Sequence, residues 1–364
     1  MSMQMGRSIE ANQESRPALT IFWLQPEIAE EEWIRFLFSG WDLAERRVVD
    51  LHRVEENSLL VLSSNAHPLD RLDPAFLKRI SSFSRIGLFH VSDEWFCGGY
   101  EAYRNFNFVL RNYHARFFSH PGIRTVPLGW TNGIGKGEEA ALASQRRTVW
   151  TFAGNRNWVR HQMVGELLHV TPNRVRLCQP GGLLPVCREE YLGWLRDAAF
   201  CPCPMGNVVL ETFRLYEALE AGCIPLVERR RGFDYFRLLF GENPLPSVRN
   251  WREGARYMQR LLCDPEVLDA RQRKIGEWWQ SYKSKLQSEL RYFVLRGFAG
   301  EWKELLQRDW RFRSGTLHDL RRRLELLRHH TLGAALMRIR DGVRKRGPSI
   351  LWRGGPRFKE NHEA

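Results

Sequence analysis

The stretch ETFRLYEALEAGCIPLV, residues 211–227, constrains this chain most, because it reads as one helix turning tightly into one buried strand. Glu211 and Thr212 open it with acceptor side chains, good helix formers follow, and Gly222 stands where a left-handed C-cap is wanted. At roughly 100° per residue, Leu215, Tyr216, Ala218, Leu219 and Gly222 share one side, while Arg214, Glu217 and Ala221 share another. A packed face and a charged face are therefore expected. The first turn of a helix offers unpaired N–H groups and a positive dipole end, and Arg214 adds a planar fork matched to phosphate oxygens. Glu217 lies one turn deeper, about 4.5 Å along the axis, a step comparable to that from a pyrophosphate to the ribose hydroxyls. The plain alternative is a surface Arg/Glu pair worth about 0.2–0.5 kcal/mol.

Apolar runs of strand length alternate with helix-like stretches on both sides of this segment. Upstream they are ALTIFWL (18–24), SLLVLSS (58–64), RIGLFHV (85–91) and RTVPLGW (124–130), with RRVVDL (46–51) and ARFFSH (115–120) weaker. A Gly/Pro-rich and then polar stretch, 119–147, marks a boundary. The alternation restarts with TVWTFAG (148–154), RVRLCQ (174–179), AAFCPCP (198–204), CIPLVE (223–228) and PLPSV (244–248). Continuous apolar strands with intervening helices predict parallel sheets covered on both faces. At 364 residues and 42.8 kDa, two domains are expected.

The 211–227 segment, preceded by FCPCPMGN (200–207), resembles the donor-binding segment of exostosin-like glycosyltransferases. In that family a strand and a Pro-Gly loop lead into a helix of the form S-x-R-x-x-E-A-L-x-x-G-C-I-P. FAGNRNWVRHQM (152–163), HVSDEW (90–95) and VPLGWTNG (126–133) are similar to further stretches of these enzymes, so the resemblance spans roughly residues 85–230. One departure is Glu211, where the family more often has Ser. The resemblance implies an α/β protein of the GT-B type, with two Rossmann-like domains facing a cleft and a helical C-terminal extension. The organisation expected is a disordered 1–17, an acceptor domain over 18–140, a nucleotide-sugar donor domain over 148–298 and a basic helical tail over 299–364. The implied activity is inverting transfer of a sugar from a nucleotide sugar of the UDP class to a hydroxyl of a glycan or lipid-linked glycan.

Transfer needs a stabilised leaving diphosphate, and no D-x-D motif for a divalent ion occurs. Neither a metal nor any other cofactor is expected; cations at a helix start do the work instead. Donor-binding candidates are Arg214, Glu217, Glu211, Thr212, Gly206 and Asn207 around that helix, and Gly154, Asn155, Arg156 and Arg160 around the glycine turn. For the base that takes the acceptor proton, HVSDEW follows a strand, so Asp93 comes first, then Glu94 and His90. The bland readings are an N-cap for Asp93 and a satisfied core histidine for His90. Asn132 and Gly133 follow another strand and are placed at the cleft. A G-x-S-x-G elbow, a Walker A loop and a G-x-G-x-x-G fingerprint are absent.

The net charge of +13 is concentrated late: between 303 and 359, 16 Lys or Arg face 5 Asp or Glu. There Leu317, Leu320, Leu324, Leu327, Leu332, Leu336, Ile339 and Val343 recur at steps of three to five among arginines, a pattern suited to an anionic membrane surface over 315–346. The alternative use of such a tail is a non-catalytic protein that binds nucleic acid or an anionic surface; no nucleic-acid module is visible, and no nucleic-acid partner is expected. A retaining GT-B enzyme is the rival within enzymes, but the second glutamate it places eight positions before Glu217 is here Val209. Seven scattered Cys, the absence of an apolar leader and of any run of about 20 apolar residues point to a cytoplasmic protein, peripheral on the membrane if the tail docks.

Overall fold

A computed structural model of the chain describes residues 16–330, apart from 25–26, 49, 66, 136–139, 179–185 and 310–315, and apart from the side chains of 316–319. The expected disorder of 1–17 and the apolar repeat beyond 330 fall almost wholly outside these residues.

Among them, the upstream half builds a six-stranded parallel sheet. Its strands are β1 (Ala18–Trp23), β2 (Asp42–Arg47), β3 (Ser58–Ser63), β4 (Ile86–Val91), β5 (Phe108–Arg111) and β6 (Ile123–Thr125), in the order β2-β1-β3-β4-β5-β6. The helices α1 (Glu31–Leu37) and α2 (Pro74–Ser81) belong to this half. The downstream sheet has five described strands: β7 (Thr148–Asn155), β8 (Asn173–Cys178), β9 (Ala198–Cys203), β10 (Ile224–Glu228) and β11 (Ser247–Val248), ordered β11-β10-β9-β7-β8. Between them run α3 (Trp158–Leu167), α4 (Arg188–Asp197), α5 (Phe213–Glu220), α6 (Tyr235–Phe240) and α7 (Trp251–Leu262). The long α8 (Pro265–Phe298), then α9 (Lys303–Arg308) and α10 (Thr316–His329), complete the described chain.

Both sheets are doubly wound, and the strand order reverses beside the first strand of each half, between β1 and β3 and between β7 and β9. Ligands in open α/β sheets bind beyond the strand C-termini at such a switch point, because there the flanking loops diverge to opposite faces. The fully buried strands β3, β4, β5, β9 and β10 are mostly apolar, with His90, Arg111 and Glu228 as buried exceptions near their C-terminal ends. The strands depart from the expected runs in several places: β5 (Phe108–Arg111) falls in none of them, and β6 takes only Ile123–Thr125 at the start of the RTVPLGW run, the rest of which is loop. β2 lies at a sheet edge and is mostly exposed, so its sequence DLAERR is polar and the strand falls four residues before the apolar RRVVDL. The aromatic ARFFSH makes only an isolated bridge, from His120 to Ile123, and forms a tight turn at Arg116–Phe118, so the edge of the sheet is reached through β5 and β6.

The long α8, which ends at Phe298, serves both halves. Its first turns are tied to the linker by Asp269, which accepts from the Ser144 N–H and hydroxyl at 2.9 and 2.7 Å. Its later turns pack on β4 and β5, with Gly297 against the Phe108 ring and Gln287 donating to the Phe36 carbonyl at 2.6 Å. Between these, Lys283 forms a buried ion pair with Glu220 at 2.8 Å, placing a cation at the C-terminal end of α5, where the helix dipole is negative.

Candidate functional site

The helix anticipated at 211–222 spans Phe213–Glu220, with Thr212 at its N-cap position and Gly222 in the left-handed region at φ 67°. The Cys223 N–H returns to the Ala218 carbonyl at 2.8 Å and the Gly222 N–H to Leu219 at 3.2 Å, closing the helix as the glycine requires. Both faces are buried, the charged one included. Arg214 and Glu217 face a cavity of about 390 Å³ that lies between the two halves. From the downstream half it is lined by Ala153, Gly154 and Asn155 at the end of β7, by Arg160 in α3, by Arg188 and Tyr191 in α4, and by Thr212 and Phe213. Ala29, Thr131 and Ile134 close it from the upstream half. The volume falls within the range of small-molecule sites, about 300–1,000 Å³.

Polar groups in this cavity are incompletely satisfied. The Arg214 guanidinium stacks 4.1 Å over the Phe152 ring and donates to the Ala153 carbonyl, yet its buried Nε has no hydrogen-bond partner. Gly154 makes room for it, since a Cβ there would lie 2.7 Å from Arg214 Nη2. Arg160 donates to the Asn155 carbonyl at 3.0 Å, and its own buried Nε is likewise unpartnered. Burial, and then the neighbouring charge of Arg214, pull the Arg160 pKa down to about 10. The Thr212 hydroxyl, buried at the helix start, also lacks a partner. Two cations and a hydroxyl at the mouth of a helix N-terminus thus hold unused hydrogen-bonding capacity and excess positive charge. Glu217 is on the same wall. It accepts from the Thr131 hydroxyl at 2.7 Å and the Tyr191 hydroxyl at 3.1 Å, and an ionised carboxylate has sites for further hydroxyl donors.

The residues expected at the site therefore divide. Arg214, Glu217, Thr212, Gly154, Asn155 and Arg160 come together in the cavity; Arg156 does not line it. Glu211 is a correction: its carboxylate turns into the core, accepting from the Leu128 N–H at 2.7 Å and from the Tyr216 and Tyr235 hydroxyls. Burial raises its pKa, and its role is to pin α5 to the upstream half. Gly206 and Asn207 also lie outside the cavity lining. The Asn207 and Val208 N–H groups donate to Glu94 at 2.7 and 3.0 Å, a clasp across the two halves. Asn132 and Gly133 miss the cavity by one residue on either side of it in sequence: they bind α1 and the loop before it, through Glu32 and Ile28, while Thr131 and Ile134 line the wall.

The HVSDEW residues need a second correction. His90 is 1% exposed, held between the Ser64 hydroxyl at 2.5 Å and the Tyr103 hydroxyl at 2.7 Å, and burial lowers its pKa to about 4. Asp93, also 1% exposed, pairs with the wholly buried Arg111 at 3.2 Å and accepts from Tyr100 and the Cys97 N–H. A carboxylate so engaged is part of the core, because freeing it would strand a buried guanidinium at a cost of about 3–5 kcal/mol. Only Glu94 of the three reaches the seam; it lies outside the cavity lining, both its oxygens accept N–H bonds from the Asn207–Val208 loop, and its charge acts on Arg160. Sequence reasoning missed the lining residues Thr131, Arg188 and Tyr191. No periodicity marks them; Tyr191 and Arg188 look like ordinary helix residues until α4 is packed over β7.

Two doubly wound parallel-sheet domains enclose this cavity and a helical C-terminal region follows, an architecture that resembles the GT-B fold. The family likeness lies in the downstream half, where residues 185–298 match the model of the RXYLT1 C-terminal domain. No curated protein matches the chain. Solved structures similar to it include Anabaena HepE in complex with UDP and glucose, 10% identical with a TM-score of 0.45 over 76% of this chain and 99% of that one. T4 phage BGT in complex with UDP and Mn2+ is 11% identical, with a TM-score of 0.41 over 76% and 99%. Sucrose-phosphate synthase from Thermosynechococcus elongatus is 13% identical, with a TM-score of 0.41 over 78% and 100%.

Proposed function

We propose that the chain transfers a sugar from a nucleotide sugar of the UDP class to a hydroxyl of a glycan or lipid-linked glycan, with inversion at the anomeric carbon. The observation that carries this reading is the set of unpartnered groups in one interdomain cavity: Arg214 Nε, Arg160 Nε and the Thr212 hydroxyl, all at the start of α5 or facing it. A donor diphosphate there would accept from the two guanidiniums and the helix N–H groups, and the leaving nucleoside diphosphate would be stabilised by fixed positive charge rather than by a divalent ion. Glu217, one turn deeper, would accept from the ribose hydroxyls beside those of Thr131 and Tyr191. Glu94, at the seam and within electrostatic reach of Arg160, takes the proton from the acceptor hydroxyl as it attacks the anomeric carbon.

The test is release of nucleoside diphosphate from a panel of nucleotide sugars with EDTA present, with the product's anomeric configuration read by NMR. UDP release undiminished by EDTA, with inverted product, is expected. Complete loss with EDTA overturns the metal-free mechanism, retained configuration overturns inversion, and no release from any donor overturns the enzyme reading.

The cytoplasmic, membrane-peripheral location belongs to the same proposal. α10 turns Leu320, Leu324 and Leu327 outward, each about half exposed, while Glu325 and His329 pack inward. An apolar stripe among arginines suits an anionic bilayer surface. Replacing Leu320 and Leu324 with Gln should abolish co-sedimentation with phosphatidylglycerol vesicles; unchanged retention refutes docking through α10.

A further inference from the structure

A second cavity, about 520 Å³, opens where four parts of the molecule meet: the Arg116–Phe118 turn of the upstream half, the loop after β10, Arg249 just after β11, and the C-terminal end of α10. It shares no lining residue with the cavity at α5. Six guanidinium groups line it, those of Arg116, Arg229, Arg230, Arg231, Arg249 and Arg328. Their ion-pair partners among the described residues are only three carboxylates. Glu228 takes Arg230 at 2.6 Å, Glu253 takes Arg249 at 3.3 Å and Arg229 at 3.9 Å, and Glu325 takes Arg328 at 3.3 Å. Arg116 and Arg231, contributed by different domains, form no close ion pair among the described residues, Arg116 sharing only the electrostatic reach of Glu325 with Arg328, and the buried Nε of Arg229 has no hydrogen-bond partner.

The basin is built rather than accidental in its geometry. Arg230 is held rigidly, donating to the His329 carbonyl at 2.8 Å while paired with Glu228, which in turn accepts from the Met205 N–H at 2.9 Å. His329 accepts from the Leu210 N–H at 3.1 Å and packs its ring on Phe233 and Tyr235, so α10 is locked against the downstream strand ends. Like charges held together in this way raise one another's energy, and an anion bound among them relieves that repulsion. Guanidinium forks match phosphate oxygens two at a time. An excess of three positive charges, six guanidiniums against three carboxylates, calls for an anion carrying more than one charge.

We propose that this basin is a second anion site, which takes a multiply charged phosphate group and through it ties the upstream domain and α10 to the loop after β10. The site is independent of the nucleotide reading of the first cavity. It is tested on the full chain by calorimetric titration with tripolyphosphate, in the presence and absence of saturating UDP. Wild type is expected to bind tripolyphosphate whether or not UDP is present. The double variant Arg116→Ala/Arg231→Ala should bind it at least tenfold more weakly, with UDP affinity within twofold of wild type. Should that variant misfold, Arg249→Ala/Arg328→Ala serves the same purpose. Equal tripolyphosphate affinity in variant and wild type overturns the proposal, as does complete displacement of tripolyphosphate by UDP. Tripolyphosphate binding with no UDP binding would sink the donor reading and leave this site standing. Vesicles of phosphatidylcholine with and without phosphatidate identify the source. Phosphatidate-dependent retention that the double variant loses puts the phosphate on a lipid headgroup, and tripolyphosphate binding without vesicle retention puts it on a soluble ligand; each result supports the site.

Discussion

Replacing Arg214 with Ala separates a ligand-binding guanidinium from a structural one. In the folded protein the side chain has one hydrogen bond, to the Ala153 carbonyl, and one stacking partner, Phe152 at 4.1 Å. Losing these costs about 1 kcal/mol for the bond and about 0.5–2 kcal/mol for the stack. Against that, removal relieves its repulsion with Arg160, although the surroundings, Glu217 included, on balance favour the Arg214 charge. The net change is about 1 kcal/mol, a fall in Tm of about 2–4 °C. Ligand binding should suffer far more. A charge-assisted hydrogen bond to a diphosphate contributes about 1.5–3 kcal/mol, so the Kd for UDP should rise about 10- to 150-fold. Isothermal titration calorimetry with UDP, beside differential scanning calorimetry on the same samples, reads both quantities. UDP affinity within threefold of wild type would refute the assignment of Arg214 to the diphosphate. A Tm loss above about 10 °C accompanying lost binding would refute the thermodynamic argument, since the residue would then be holding the fold.

Glu94→Gln retains acceptor capacity toward the Asn207 and Val208 N–H groups but cannot take a proton, so kcat should fall about 100-fold or more while donor KM stays within threefold; a matching loss of donor affinity would show that Glu94 only clasps the loop. Glu30 has a folded-state pKa of about 7 against an ordinary 4.5, so the folded state holds its proton longer than the unfolded one. Its contribution is intact below pH 4.5 and is lost as pH rises to about 7, by up to about 3 kcal/mol; urea unfolding of Glu30→Gln at pH 5 and pH 8 should show that slope removed. His329 is shifted the opposite way, to about 3 from 6.5, because burial disfavours its charged form. Its neutral ring therefore contributes fully above pH 6.5, and the contribution is lost as pH falls toward 3, so hydrogen-exchange protection factors in α10 should fall between pH 6.5 and 4 and not in a His329→Phe variant.

The two halves, their parallel sheets and the helix-to-strand core at 211–227 were legible because each depends on local pattern. Continuous apolar runs announce strands buried on both faces, and Gly222 announces a helix end that needs positive φ. Arg214 and Glu217 were legible for the same reason, since a three-residue step on one helix fixes their relation before any packing occurs. What tertiary structure alone decided is which polar residues face the cavity and which are consumed by the core. Glu211 and Asp93 carry the same carboxylate chemistry as Glu217 and Glu94, yet Tyr216, Tyr235 and Arg111 reach the first two and turn them into struts. Those partners come from as far as 24 residues away in sequence, and Thr131 meets Glu217 across 86. A sequence period records the geometry of one element; whether a charge is free to meet a ligand depends on what other elements bring to it, and that is settled only when the two sheets close over α5.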